Sequence, residues 1–404
     1  MHRLSWRRVG SRVLMCIACL LGVPTPGAAR AEADPAESHD LRTRYPIVLS
    51  HHWSGTADTA FLGDEWDGES FNTGGVKEAL EARGAVVYLP DKVPFASHED
   101  RGRLLYRRCE GDTLPEKLCE GEDAVTVDGV EWILLDYCGD ADKRHPEYAD
   151  FGDCIERVKI NIICHSQGCP DSRYMIAAVT NRLSGRSMHE HVASWTSMAG
   201  ANKGTALADW LLSLLGDRPP EGGATTPRGA GLLGYELEDG LTREVYDSVV
   251  ALTRKYMTRT TDMDCNPRWS DCPPSFNQLY PNHPDVYYQT YSARVRRLHA
   301  SHAELGFLWA FLWVFEGPND AYISLDSQRF TTAGPGRDQP PTFVVDRGVI
   351  TGESTRWWAS HPGIAHMGFS TSRVAGLGPD AEHYQYSRVG MYEEIVADLK
   401  AMGY

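Results

Sequence analysis

The sequence predicts an α/β fold with a mainly parallel central sheet flanked by helices. Short runs of branched apolar residues alternate along the chain with segments of helical spacing, which is the pattern of parallel strands joined by crossover helices. The 404 residues are 42% hydrophobic, so the chain can bury a sizeable core. At roughly 100–200 residues per domain, two or three domains would fit, but α/β folds of this size often form one domain. With no internal repeat and no clear linker, we expect a single domain over 40–404.

The predicted elements follow one another in regular order. The run at 158–164 is rich in β-branched residues, whereas Val76 and Leu80 stand one helical turn apart. The same criteria predict strands at 45–50, 84–89, 158–164, 191–198 and 286–291. They predict helices at 75–82, 98–108, 171–183 and 392–402.

Two segments interrupt this alternation. Residues 109–156 carry four cysteines and indicate an insertion. Residues 205–260 hold apolar stretches of helical spacing, at 206–215 and 241–256, on either side of a segment rich in Gly, Pro and Thr at 216–234. We interpret this second segment as an insertion on the fold and not as a second domain.

The first 31 residues have the pattern of a secretory signal peptide. Four arginines precede the apolar run 13–23, and alanines follow at 28, 29 and 31. A transmembrane helix needs about 20 apolar residues, and this run is much shorter. A lipoprotein signal ending at Cys19 is a weaker interpretation, because Cys16 stands where a large aliphatic residue belongs. We therefore expect an exported protein, secreted or periplasmic, with no transmembrane segment in the mature chain.

The charge balance argues against nucleic acid and anionic membranes as partners. The chain has 40 Lys and Arg against 55 Asp and Glu, a formal charge of −15. Removal of 1–31 takes away five arginines and no acid, which gives −20. Phosphate backbones attract basic surfaces, so this chain has the wrong sign for them.

Eight cysteines remain after the signal segment, and export makes disulfides the expected state. Cys265 and Cys272 close a short loop, and we expect them to pair. The insertion at 109–156 holds four more, which we expect to pair among themselves in one of three connectivities: Cys109, Cys119, Cys138 and Cys154. Cys164 and Cys169 are either buried thiols or a pair. None of these eight cysteines forms a C-x₂-C pair, the spacing that would indicate a zinc site.

The chemistry of the chain centres on Ser166. It lies in Cys-His-Ser-Gln-Gly, directly after the strand at 158–164 and directly before a helix. A tight strand-to-helix turn of this kind lifts a serine Oγ above the sheet, and its neighbours must be small. Gly168 meets that demand, and Cys164 stands where the usual pattern has its first glycine. The pattern in its strand context predicts a nucleophile elbow, against the alternative of an ordinary serine in a turn.

Several segments of the sequence resemble a known family, the secreted bacterial triacylglycerol lipases. Residues 45–55 (Tyr-Pro-Ile-Val-Leu-Ser-His-His-Trp-Ser-Gly) are similar to the first strand and oxyanion loop of those proteins, with His52 in the place of a glycine. Residues 161–168 (Asn-Ile-Ile-Cys-His-Ser-Gln-Gly) resemble the segment around their nucleophile. With similar blocks at 76–108, 193–205 and 317–320, the resemblance covers most of 45–400. It implies an α/β-hydrolase fold over 40–404.

The resemblance also implies the other catalytic residues, in the chain order serine, acid, histidine. Asp320 follows the hydrophobic stretch 308–315, consistent with a loop at a strand end, and is the expected acid. Asp326 and Asp346 are its alternatives. His366 lies in a loop of small residues late in the chain and is the expected base, with His361 as its main alternative.

These roles define a mechanism for ester hydrolysis. His366 takes the proton of Ser166 as Oγ attacks the ester carbonyl, and Asp320 orients the imidazole. The backbone N–H groups of Trp53 and Gln167 hold the oxyanion. Water then hydrolyses the acyl-enzyme. No cofactor is required for this catalysis.

Three further expectations follow from the resemblance. The insertion at 205–260 corresponds to a lid whose apolar face meets lipid, although a fixed cap is equally consistent with the sequence. The stretch 308–315 is expected to be core or a wall of the acyl pocket and not a membrane anchor. A structural calcium ion and a secretion chaperone are features of some secreted lipases; Gly368 stands where a calcium ligand would be, so no ligand is assigned.

The sequence therefore predicts an exported serine ester hydrolase acting on acylglycerols at a lipid–water interface. A short-chain esterase or a polyester depolymerase would use the same residues. A catalytically silent binding protein on the same fold is the alternative from another class. His189 and His191 flank a glutamate, but no second pair completes a metal site.

Overall fold

In a computed structural model, the structure describes residues 40–63, 75–109, 126–216, 243–259, 273–295, 305–330, 344–350, 364–370 and 388–404. The strands within these ranges are β1 (Ile47–Ser50), β2 (Val87–Tyr88), β3 (Arg108–Cys109), β4 (Thr126–Val127), β5 (Ile160–His165), β6 (Val192–Met198), β7 (Tyr287–Ala293) and β8 (Val344–Ile350). Several expectations fall outside them: the signal peptide at 1–31, the pair Cys265–Cys272, and His361.

Helices cover the intervals between the strands. Within the same ranges they are α1 (Gly75–Ala82), α2 (His98–Tyr106), α3 (Val130–Gly139), α4 (Phe151–Arg157), α5 (Gly168–Ala178), α6 (Ala206–Leu215), α7 (Arg243–Ala251), α8 (Arg254–Thr258), α9 (Phe276–Leu279), α10 (Gly306–Glu316), α11 (Leu325–Arg329) and α12 (Arg388–Ala401). None of these described helices combines the length and the apolar content needed to cross a bilayer.

Six of the described strands form one sheet in the order β2-β1-β5-β6-β7-β8. Every neighbouring pair in it is parallel. The predicted fold class is confirmed. Strand β5 lies beside β1, so the carboxyl ends of β1 and β5 meet at the same edge of the sheet.

The centre of the sheet is covered on both faces, and every residue of β5 is buried. On one side Ile162 packs in a cluster with Leu134 of α3 and Trp195 of β6. On the other side Ile163 packs in a cluster with residues of α1 and α12. Helix α3, from the cysteine-rich segment, thus contributes to the main core.

Two elements differ from the sequence expectations. Residues 308–315 do not form a strand before Asp320 but most of helix α10, because a continuous apolar run fits a strand and a helix equally. Strand β8 gives no clear strand pattern, since it forms an edge whose Val345 and Asp346 are exposed and Gly348 interrupts the run.

The cysteines of the described ranges form disulfides. Cys138 pairs with Cys154, which ties α3 to α4 with 5.6 Å between the Cα atoms. Cys109 is disulfide-bonded as well. Of the two alternatives for Cys164 and Cys169, the structure has the pair, which brackets Ser166.

Candidate active site

Ser166 occupies a sharp turn between β5 and α5. Its φ of 55° lies in the left-handed region, which non-glycine residues rarely adopt and which is typical of strained functional turns. Two residues later the backbone of α5 approaches the end of β1 closely. A Cβ on Gly168 would lie 2.3 Å from the carbonyl oxygen of Ser50, so only glycine fits there.

The structure brings Ser166, His366 and Asp320 together. The Nε2 atom of His366 lies 2.7 Å from the Oγ atom of Ser166. The Nδ1 atom of the same ring lies 2.7 Å from Oδ2 of Asp320. The imidazole is nearly buried at 3% exposure, so water competes little for either contact. This geometry lets a proton leave the serine hydroxyl for an imidazole that a carboxylate orients.

Asp320 is held in place by the turn that contains it. Its Oδ1 atom accepts hydrogen bonds from the N–H groups of Tyr322 at 3.0 Å and Ile323 at 2.8 Å, which leaves Oδ2 to the histidine. Asn319 accepts the N–H of Ala321 through its Oδ1 atom at 2.8 Å. Ala321 has a φ of 83°, in the region that favours the glycine of the related motif.

The loop that carries His366 is fixed from two sides. Its backbone N–H donates to the carbonyl of Asp320 at 3.0 Å. Its own carbonyl accepts from Nε2 of His165 at 2.9 Å. Burial lowers the pKa of His165 well below its usual value, so this ring is neutral and carries its proton on Nε2. His165 therefore connects the end of β5 to the loop that carries His366.

A buried ionic cluster holds the loop that follows β1. Arg101 donates through Nη2 to the carbonyls of His51 at 3.1 Å and His52 at 2.9 Å. Lys92 donates through Nζ to the carbonyl of His51 at 2.8 Å. Both cations pair with Asp171 of α5, at 2.7 Å from Arg101 and 2.9 Å from Lys92. Since His52 precedes Trp53, the cluster links the orientation of the Trp53 N–H to the helix that begins after Ser166.

The ionisation of this cluster is set by competing effects. Burial opposes ionisation of Asp171, but the charges of Arg101 and Lys92 outweigh it and lower the pKa of the carboxyl. Burial, with the charge of Arg101 beside it, lowers the pKa of Lys92 to about 7. Arg101 is therefore the permanent cation of the cluster.

His52 joins the same loop to the loop that carries His366. Its Nδ1 atom lies 3.1 Å from Oγ of Ser370, which accepts the N–H of Phe61 at 3.0 Å. Burial lowers the pKa of His52 to about 3, so the ring is neutral. A Cβ on Gly55 would lie 2.8 Å from this ring, which leaves room only for glycine.

Comparison with known proteins finds similarity of the chain to lipases. No model of a known protein family matches it. It is 26% identical to a triacylglycerol lipase of Burkholderia plantarii over 216 residues, and this aligned stretch covers 52% of this chain and 46% of the relative. It is 27% identical over 178 residues to a triacylglycerol lipase of Pseudarthrobacter phenanthrenivorans, which covers 44% of this chain and 39% of the relative. The matches thus span less than half the length of these relatives.

A solved structure carries the comparison of fold. Lipase 1 from Pelosinus fermentans has a TM-score of 0.50 to this chain at 15% identity, over 89% of this chain and 99% of that one. The chain has the α/β-hydrolase fold. In this fold the nucleophile, acid and base follow one another along the sequence, and residues 166, 320 and 366 have that order.

In this α/β-hydrolase fold the alternatives for the acid lie apart from the imidazole. Asp326 is exposed and lies 3.0 Å from Nζ of Lys203. Asp346 lies in β8, 3.3 Å from Nε of Arg329. Trp53 lies in the loop that follows β1, and Gln167 caps α5, where an N–H has no partner inside the helix.

A cavity lies beside Ser166 and His366. The helices of the segment 205–260 form much of its wall, and its lining includes Leu207, Leu211 and Val249. An apolar cavity of this kind suits the hydrocarbon part of a ligand. Within the described ranges, no group of three or more His, Cys, Asp or Glu could hold a metal ion.

Sequence reasoning missed the residues that position the site. Asp171 could have been found from the sequence, because it lies in the first turn of the helix that follows Ser166, where a carboxylate does not reach solvent easily. His165 and Ser370 carried none, because their partners are distant in the chain.

Proposed function

We propose that the protein is a serine-dependent carboxylic ester hydrolase that acts on acylglycerols. The observation that carries the proposal is the pair of 2.7 Å contacts that His366 makes, through Nε2 with Ser166 and through Nδ1 with Asp320. The similarity to triacylglycerol lipases supports the ester as substrate, and the apolar lining of the cavity supports an acyl chain.

The reaction proceeds through an acyl-enzyme. His366 accepts the proton of Ser166 as Oγ bonds to the ester carbonyl carbon, and the imidazolium then protonates the leaving alcohol. The N–H groups of Trp53 and Gln167 stabilise the oxyanion, and removal of one such donor typically costs on the order of 10²–10³ in rate. Water, activated by the same imidazole, releases the carboxylic acid.

The proposal includes export from the cytoplasm. Residues 1–31 have the pattern of a signal peptide, and the disulfides of the described ranges fit an oxidising compartment. A lipid–water interface is the proposed place of action. A secretion chaperone and a structural calcium ion come only from the resemblance and form no part of the proposal.

The test compares two serines that each contact a histidine. Ser184 Oγ lies 2.7 Å from Nε2 of His191, but Nδ1 of that ring faces the carbonyl of Val158 at 2.8 Å and not a carboxylate. We expect a fluorophosphonate to label the wild-type protein and Ser184→Ala but not Ser166→Ala. Hydrolysis of p-nitrophenyl butyrate should fall at least about 10³-fold in Ser166→Ala alone.

The substrate series decides the class of ester. Cleavage of p-nitrophenyl palmitate and emulsified triolein supports acylglycerols as substrates, whereas cleavage of the butyrate ester alone favours a short-chain esterase. Folded, disulfide-intact protein that cleaves no ester and takes no label would overturn the hydrolase proposal and leave a binding protein.

A further inference from the structure

A disulfide closes a short loop around the candidate nucleophile. Cys164 and Cys169 are bonded to each other, five positions apart in the sequence, and their Cα atoms lie 5.0 Å apart. Three groups of the candidate site lie between them: the side chain of Ser166, the backbone N–H of Gln167 and the ring of His165. We call this bond the elbow disulfide.

Each end of the elbow disulfide lies on a well-anchored element of the fold. Cys164 is in β5, in register with Ser50 of β1 on one side and Ser197 of β6 on the other. Cys169 is in the first turn of α5, where Oγ of Ser50 donates to the carbonyl of Gly168 at 3.0 Å. The bond therefore fixes the span of the turn between the sheet and the helix.

The turn inside this loop depends on its surroundings. Ser166 has a φ of 55°, and a non-glycine residue keeps this conformation only where the structure around it holds it. Hydrogen bonds do part of this, since the carbonyl of Ser166 accepts from the N–H groups of Cys169 at 3.1 Å and Ala201 at 3.3 Å. The elbow disulfide adds a covalent link across the same turn, so the direction of the Gln167 N–H does not depend on hydrogen bonds alone.

The link also accounts for a cysteine in the place of a glycine. The usual pattern has glycine two residues before the serine, because strand and helix approach closely there. In this chain Sγ of Cys164 is bonded to the helix instead of pressing against it. Both cysteines are fully buried, in a cluster that contains Ile162 and Met175. Disulfides that exchange with thiols are typically exposed, so this one has the position of a permanent link.

We propose that the elbow disulfide is a positioning element for catalysis, which fixes Ser166 and the N–H of Gln167 relative to His366, and this rests on the proposed function. Closure of the loop 164–169 removes entropy from opened conformations of the turn and lowers their population at least about tenfold. Misplacement of a reacting group by about 1 Å can cost on the order of 10²-fold in rate. A protein without the link should therefore keep its fold and lose rate.

The experiment compares the elbow disulfide with the disulfide between α3 and α4. The test variant is Cys164→Ala with Cys169→Ala, and the control variant is Cys138→Ala with Cys154→Ala. All four cysteines are fully buried, and the control pair lies 16 positions apart in the sequence against five. Because a longer closed loop constrains the unfolded chain more, an effect on global stability alone should be larger in the control variant.

A second test variant separates the bond from the volume of its sulfur atoms. It combines Cys164→Ala with Cys169→Val, so that an added methyl group restores part of the packing without the link. This valine variant also carries the comparison if the alanine variant does not fold.

We expect both test variants to lower kcat for p-nitrophenyl butyrate on the order of tenfold, with KM changed less than about twofold, at a temperature well below their unfolding. The control variant should keep kcat within about twofold of the wild type. Amide hydrogen exchange of the segment 165–168, followed by mass spectrometry, should accelerate at least about tenfold in the test variants and not in the control.

Four outcomes would overturn the positioning proposal. They are equal kcat in the test and control variants, exchange at 165–168 that does not accelerate, recovery of kcat in the valine variant, and failure of both test variants to fold. Recovery in the valine variant would assign the effect to packing, and failure to fold would make the bond a requirement for folding. If the wild type cleaves no ester, the proposed function is overturned instead, and the exchange comparison alone decides whether the bond fixes the turn.

Discussion

Replacement of Asp171 with alanine tests how the loop before Trp53 is held. The carboxylate of Asp171 pairs with Lys92 and Arg101, and all three side chains are fully buried. Without the carboxylate, Lys92 can release its proton, because burial already lowers its pKa to about 7. Arg101 cannot, since its guanidinium stays charged in proteins. The variant therefore keeps one buried cation without its anion.

The size of the effect follows from that single charge. Removal of one partner of a buried ion pair costs about 3–5 kcal/mol of folding free energy. An unfolding entropy of about 2.1 cal/mol/K per residue gives about 0.8 kcal/mol/K over the unit Asp40–Tyr404. The melting temperature should therefore fall by about 4–7 °C. Activity should fall as well, because Arg101 and Lys92 hold the carbonyls that precede Trp53.

The assay is thermal unfolding at pH 7, followed by circular dichroism, with p-nitrophenyl butyrate hydrolysis below the transition. Asp326→Ala is the matched control: its carboxylate also pairs with a lysine, at 3.0 Å, but is 65% exposed. A surface pair contributes at most about 1 kcal/mol, so the control should lose about 1 °C or less. If the melting temperature of Asp171→Ala falls no further than that of the control, the buried cluster does not stabilise the fold and the reasoning is refuted.

Three further predictions follow. Asp320→Asn should lower kcat on the order of 10⁴-fold without lowering the melting temperature. An equal fall of kcat in Asp326→Asn would contradict the assignment of Asp320 as the acid. Gly55→Ala should destabilise the fold by about 1–3 kcal/mol, and His52→Gly should restore most of that in the double variant, which urea unfolding of the four proteins measures. Burial raises the pKa of Glu316 to about 7 from 4.5, so its contribution to stability is present below pH 4.5 and lost as the pH rises through 7. Between pH 5 and 8, the free energy of unfolding of Glu316→Gln, measured in urea, should therefore fall by about 2–3 kcal/mol less than that of the wild type. An equal fall in both proteins would contradict this.

The sequence predicts those parts of the site that depend on local structure. The strand β5 with its branched Ile residues, the turn at Ser166 and the required Gly168 all lie within nine residues, so strand pattern and turn chemistry suffice to find them. The parallel sheet is predictable for the same reason. The choice of base depended on the resemblance, because the chain has 15 histidines and burial distinguishes them only after folding.

Helix α10 shows a limit of pattern reasoning. Its residues are apolar on every side, which a sequence alone interprets as core. In the structure Leu308 and Leu312 supply the buried side, and Val314 is 77% exposed. Pattern detects hydrophobicity, but it does not determine whether protein or another phase covers it. The exposed face is therefore a finding of the structure.

His52 is the departure from the family pattern that the structure best explains. A glycine in that position gives a loop its freedom, and a histidine would be expected to disturb the oxyanion donors. The proposed donors, however, are backbone N–H groups, whose direction depends on how the loop is anchored. The guanidinium of Arg101 donates to the carbonyl of His52 at 2.9 Å. The imidazole of His52 lies 3.1 Å from Oγ of Ser370, in the turn that follows His366. The loop is thus anchored both to the helix behind the nucleophile and to the loop of the base. A side chain that replaces the flexible glycine adds a contact here, and Gly55 supplies the space for its ring.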